Sequence, residues 1–314
     1  MFHEFLPNLN TLPAPPGTVG SIAISGACYL AWDSTQNLVW IGATSGVAYS
    51  YKPVLLTGVN TVVNFGGYIR YDATQNLLWS IGNNKLVSVN AATGSVVNTI
   101  TPATTYLYAV EYDKVNNLTW YHDGPSGSAR LKSVNAANGS AVNNISLGTE
   151  YIGYTQGTRS FSYDKDHNRL WFVGINYGLG YYDIGTATLH TGVSTNPGGS
   201  YYNCCFYDTT TQSVWMGNSN GTIYKYGVIS NTINGTLPGY NALSFELDNN
   251  GFLWFVASTG AGKFVQINAS TLAVIYTNTT FAGDGTFGGV ACDLTDHRMW
   301  WSTSAVGIHF YQTT

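Results

Sequence analysis

Side chains able to act as acids, bases or ligands are few in this chain and poorly grouped. The six histidines, His3, His122, His167, His190, His297 and His309, form no HExxH or other metal-ligand spacing. The four cysteines, Cys28, Cys204, Cys205 and Cys292, include no CxxC pair. That argues against zinc and for buried thiols packing as small hydrophobes. Asp164, Asp166 and Asn168 alternate like the start of a calcium loop, but the glycine and glutamate such a loop needs further on are missing. No G-x-S-x-G elbow, P-loop or dinucleotide-binding glycine pattern is present. No catalytic residue, metal or cofactor is therefore expected.

The composition narrows the partners. Charged residues make up 9% of the 314, against about 25% in an ordinary soluble domain. With 12 Lys+Arg against 16 Asp+Glu and no basic run, the electrostatic footprint for nucleic acid or an anionic membrane surface is missing. No apolar stretch reaches the roughly 18 residues of a membrane span. Few ionisable groups predict a comparatively flat dependence of stability on pH, suited to an acidic exterior. The first residues, MFHEFLPNLNTLPAPPG, lack the basic and apolar regions of a signal peptide. An exterior location is then expected to come from a trimmed precursor, an unusual export route or assembly into a virion.

One motif recurs seven times: an apolar strand ending in Asp, a short polar turn, then Trp. The Asp residues are Asp33, Asp72, Asp113, Asp164, Asp208, Asp248 and Asp293; the indoles are Trp40, Trp79, Trp120, Trp171, Trp215, Trp254 and Trp300. The repeat length of 39 to 51 residues is that of a propeller blade. The second strand of each repeat is apolar on both parities, as in LVWIG and LWFVA, which marks a sheet covered on both faces. The predicted fold is all-β: a single seven-bladed β-propeller of four-stranded blades over residues 1–314. Asp is expected to accept turn N–H groups and Trp to fill the space between blades. After Trp300 only two strands remain, so residues 1–12 are expected to supply the outer strand of the last blade and close the ring.

KLVSVNAATGSVVNTI and KSVNAANGSAVNNISL resemble the YVTN-type repeats of archaeal surface-layer-like propellers, and the Asp-turn-Trp part is similar to NHL repeats. The resemblance covers nearly the whole chain. It implies the propeller fold, and it suits an archaeal or archaeal-virus origin.

The motif places short, nearly constant turns on one rim and the variable loops on the other. The longest variable loops carry Tyr151, Tyr154, Tyr177, Tyr201 and Tyr202, with His122 and Asp123 nearby. Tyrosine offers a rigid apolar face and a hydroxyl, suited to a protein partner or a surface glycan. Arg70 and Glu111 occupy equivalent places on consecutive inner strands and are expected to pair; Glu246 lies on another inner strand. Sequons at Asn138, Asn144, Asn220, Asn234, Asn268 and Asn278 permit glycosylation on export, whereas that at Asn117 adjoins a core Trp. These features predict a non-catalytic structural or attachment protein of a virion or cell envelope. The alternative is a lyase or glycan hydrolase working in the central channel.

Overall fold

In the computed structural model the described residues form 28 strands in seven four-stranded antiparallel sheets. Residues 1–16, 18, 25, 44, 54–56, 64, 66, 83, 103–106, 126–127, 149–159, 175–177, 195–200, 259–261, 280–286, 304–306 and 314 lie outside the described residues. Each sheet is one blade of a β-propeller. The first strands of blades 1 to 7 are Ala27–Asp33, Ile69–Asp72, Leu107–Asp113, Phe161–Asp164, Tyr202–Asp208, Ala242–Leu247 and Phe287–Asp293. Each touches its counterparts in the two neighbouring blades, so the first strands line the axis.

The sequence explains the blades locally. Each repeat Asp ends the inner strand, or in blade 6 directly follows it, and accepts N–H groups of the turn: Asp72 Oδ1 takes those of Thr74 and Gln75 at 2.9 and 3.0 Å. The fourth residue after the Asp is left-handed in six turns, with φ between 48° and 56°. Asn37, Asn76, Asn117 and Asn168 hold that place in four of them, because asparagine tolerates the conformation. The shortened sixth turn uses Gly251 at φ 76°. All seven repeat tryptophans are fully buried. Each packs across the seam into the next blade, giving one apolar cluster per seam and seven in all.

Closure is by the N-terminal strand, at a different place from the expected 1–12. Val19–Ala23 is the outer strand of blade 7 and pairs antiparallel with Gly307–Gln312, from Val19 opposite Tyr311 to Ala23 opposite Gly307. Residues 1–12 lie outside the described residues. The physical reason is the connection. From Ala23 only three residues lead into the inner strand of blade 1, whereas a strand at 1–12 would leave a long crossing, and short connections prevail.

Candidate functional site

The inner strands of blades 6, 7, 1, 2 and 3 enclose a cavity of about 300 Å³ on the axis. Its charged lining comes from Arg70, Glu111 and Glu246, with the Cys292 thiol and the phenols of Tyr29, Tyr71 and Tyr112 beside them, while Ala31, Gly289 and Ala291 keep it open. Four of these residues, Arg70, Glu111, Glu246 and Ala31, sit two places before a repeat Asp, as does Ala291, so the repeat itself aims that position at the channel. Arg70 Nε donates to Glu111 Oε2 at 3.0 Å, as their equivalent positions predict, and Arg70 Nη1 donates to the Ile69 carbonyl at 2.8 Å. Burial pushes the Cys292 thiol well above the usual range, and the neighbouring carboxylates of Glu246, Asp248 and Asp293 push the same way. This thiol is therefore protonated and a poor nucleophile.

The loop-rim residues separate into three groups. Tyr201 is 40% exposed. Tyr202, His122 and Asp123 are buried. Tyr151, Tyr154 and Tyr177 lie outside the described residues. Tyr202 packs edge-on against Tyr224 at 5.9 Å within the seam between blades 4 and 5. His122 is drawn down to about 4 by burial, with the Asp123 charge pulling the other way, so its imidazole is neutral at neutral pH. Asp123 accepts a hydrogen bond from Lys132 Nζ on the neighbouring strand. Strand ends in a propeller are sandwiched between blades, which is why these three polar side chains turn inward instead of lining the rim.

The remaining candidates are used by the fold. His167 Nδ1 lies 2.9 Å from Asp164 Oδ2 in its own turn. Asp166 contacts Lys165 and accepts the Tyr207 hydroxyl at 2.9 Å. Among the described residues no group of three or more His, Cys, Asp or Glu could hold a metal. Cys204, Cys205 and Cys292 are buried. Of the sequons, Asn138, Asn144, Asn220 and Asn234 are exposed. Asn268 spends its Oδ1 on the N–H groups of Ser270 and Thr271, and Asn278 is buried with its Nδ2 on Tyr276.

Missed in the sequence were Tyr29, Gly289 and Cys292 as cavity lining. Counting outward from each repeat Asp along the inner strand would have found them. Fold and cavity together define a seven-bladed β-propeller with a narrow axial site, its charged lining partly neutralised by an internal ion pair. Compared with known proteins, the chain matches no family model and no curated protein.

Proposed function

We propose that this propeller is a non-catalytic structural or attachment protein of a virion or cell envelope. It engages a protein partner in a larger assembly, or a surface glycan, through its variable loop rim. The observation that carries this reading is the sparseness of ionised groups outside the core. All seven repeat aspartates are buried and bonded to their turns, which removes seven of the 16 acids from the exterior. What remains is a surface of amides and hydroxyls, with Tyr201 presented on the loop rim. The YVTN- and NHL-like repeats support a surface-layer-like relation and an archaeal or archaeal-virus source. Fractionating the native source tests the setting: the chain is expected with particles or envelope, and recovery from the cytosol alone would reject it. On a glycan array, Tyr201→Ala should weaken binding; identical profiles would remove the rim from the proposal.

The cavity favours one second reading, a channel lyase or glycan hydrolase, because it holds two carboxylates and a guanidinium. Glycosidases need one carboxylic acid and one free carboxylate, and here Glu111 is committed to Arg70. Glycan cleavage that is lost in both Glu111→Gln and Glu246→Gln would establish this reading over the first.

A further inference from the structure

The axial cavity is lopsided, and the repeat shows why. In all seven blades the residue two places before the repeat Asp pairs with the repeat Trp of the next strand. One common register puts these seven residues at one level of the axis. Glu246 of blade 6 stands across the ring from the Arg70–Glu111 pair of blades 2 and 3. Between them on one side are blades 7 and 1, where the same place holds only Ala291 and Ala31. On the other side the place holds Ser162 and Phe206, and neither lines the cavity. Ser162 Oγ accepts the Tyr207 N–H of blade 5 at 2.8 Å, and Phe206 turns into the seam between blades 5 and 6. The ring is thus closed up at blades 4 and 5 and hollow at blades 7 and 1.

The hollow carries a net charge. Its one guanidinium and two carboxylates leave a formal excess of one negative charge, and no other Lys, Arg or His lines it among the described residues. Arg70 is engaged by Glu111, whose Oε1 also takes the Tyr112 N–H at 3.2 Å. Aromatic rings stand beside the charges: Tyr29 and Trp32 from blade 1, Tyr71 from blade 2 and Tyr112 from blade 3. The face of such a ring attracts a cation. The lining runs from Tyr29, Ser244 and Gly289, four places before their repeat Asp, to Leu294, one place after its own. Leu294 is 48% exposed, so the mouth opens on the rim of short turns, away from the variable loops.

We propose that the axial cavity binds a small organic monocation, an alkylammonium or alkylguanidinium, with its head at Glu246 and its chain along the ring-lined wall. Binding makes and breaks no covalent bond. The site lies on the rim opposite the attachment surface proposed above and does not rest on that reading. The other ligand classes fit worse. An anion meets a like charge. A neutral sugar displaces water from a carboxylate and returns no counter-charge, which is costly. A calcium ion needs six to eight oxygen ligands, and among the described residues no group of three or more His, Cys, Asp or Glu could hold a metal. An organic cation supplies the missing charge, donates charge-assisted hydrogen bonds to a carboxylate and lays its methylenes on Leu30, Leu247 and Val290. A cavity of about 300 Å³ is at the small end of ligand sites, which limits the guest to a short chain.

Isothermal titration calorimetry of the full chain with n-pentylammonium at pH 7 tests this, with pentanol and pentanoate as neutral and anionic probes of the same length. Saturable one-to-one binding of the ammonium by about 10 mM is expected, and at least about tenfold weaker binding of the other two. Glu246→Gln keeps the shape of the side chain and removes its charge. It should weaken the ammonium at least about tenfold, the worth of one charge-assisted hydrogen bond, with far-UV dichroism and thermal midpoint as in wild type. Ala31→Leu fills the hollow and leaves the charges in place, and it should abolish binding; if that variant does not fold, Glu246→Gln decides alone. No saturation with the ammonium overturns the proposal. So does pentanol or pentanoate bound as tightly as the ammonium, or a folded Glu246→Gln chain that binds the ammonium as wild type does.

Discussion

Asp164, Asp208 and Asp248 each bond two turn N–H groups through Oδ1 and a repeat indole through Oδ2, at 3.2, 3.2 and 2.7 Å from Trp171, Trp215 and Trp254. In blade 7 the same carboxylate is poorer: Asp293 Oδ2 and Trp300 Nε1 find no hydrogen-bond partner among the described residues. Burial raises Asp293 to about 6, and Asp296 adds to it, while the turn N–H groups and Arg298 pull the other way. The folded state then holds a proton that the unfolded chain releases near pH 4. Its contribution is full below that value and is lost as pH rises to about 6. Exposed Asp166 and half-buried Asp183 are shifted the opposite way, and solvent screens them, so they weigh less. Buried His122, drawn down to about 4, acts the other way over the same window, because the unfolded chain takes up a proton there that the folded state refuses. Asp293 is therefore read against Asp293→Asn, which keeps an Oδ1 acceptor for Thr295 and Asp296: the stability advantage of wild type over the variant should be larger at pH 5 than at pH 7, by on the order of 2 kcal/mol or less, and identical pH profiles of the two proteins would refute the assignment. Trp215→Ala, which empties a fully buried site and deprives Asp208 of its indole donor, should cost about 3–5 kcal/mol in denaturant unfolding.

At the scale of the blade, the residue before the repeat Asp ties the turn or the neighbouring sheet. In blades 2 to 5 it is Tyr71, Tyr112, Tyr163 and Tyr207: the first three hydroxyls donate to the turn asparagine of their own blade, Asn76, Asn117 and Asn168, at 3.1, 3.5 and 3.1 Å, and that of Tyr207 donates across the seam to Asp166 at 2.9 Å. Blades 6, 7 and 1 have Leu247, Cys292 and Trp32 instead, and other ties cross their seams. Lys225 Nζ crosses to the Ala269 carbonyl at 2.7 Å between blades 5 and 6. Phe264 stacks on Trp301 at 4.0 Å between blades 6 and 7. Arg298 donates to the Pro53 carbonyl between blades 7 and 1. Tyr207→Phe, which removes the bond across the seam to Asp166, should lower stability by roughly 1 kcal/mol, the net value of one such bond. A loss near zero in thermal unfolding would show that the hydroxyl ties nothing. Much of this level was legible. The Asp and Trp spacing gave blade number and seams, and the equivalent placement of Arg70 and Glu111 gave their pair. The inward turn of His122 and Tyr202 was not legible, because a polar residue at a strand end reads the same whether it faces solvent or the next blade. The outer-strand bulges at Val59, Val97 and Val142 were equally hidden, since a bulge is a matter of register between two strands and leaves no mark in either one alone.

The whole ring depends on one seam joining the two ends of the chain. VGSIA carries no repeat motif, which is why the closing strand was expected elsewhere; only its pairing with Gly307–Gln312 reveals it. Gly17 N–H adds a bond to the Gln312 carbonyl at 2.9 Å, and Asn37 reaches Asp296 across the seam at 3.2 Å. Removing residues 1–23 leaves the strand Gly307–Gln312 as an open edge and uncovers Phe310, which Gly20 now packs against. An open edge next to an exposed ring invites strand addition by other chains. The truncated chain should therefore unfold at lower denaturant and aggregate in a concentration-dependent way, with blades 3 to 5, away from the opened sheet, protected longest in hydrogen exchange. Adding a peptide of residues 17–24 should restore part of the lost stability by mass action. Wild-type unfolding behaviour in the truncated chain would mean that closure contributes nothing and that the seven seams hold the ring without it.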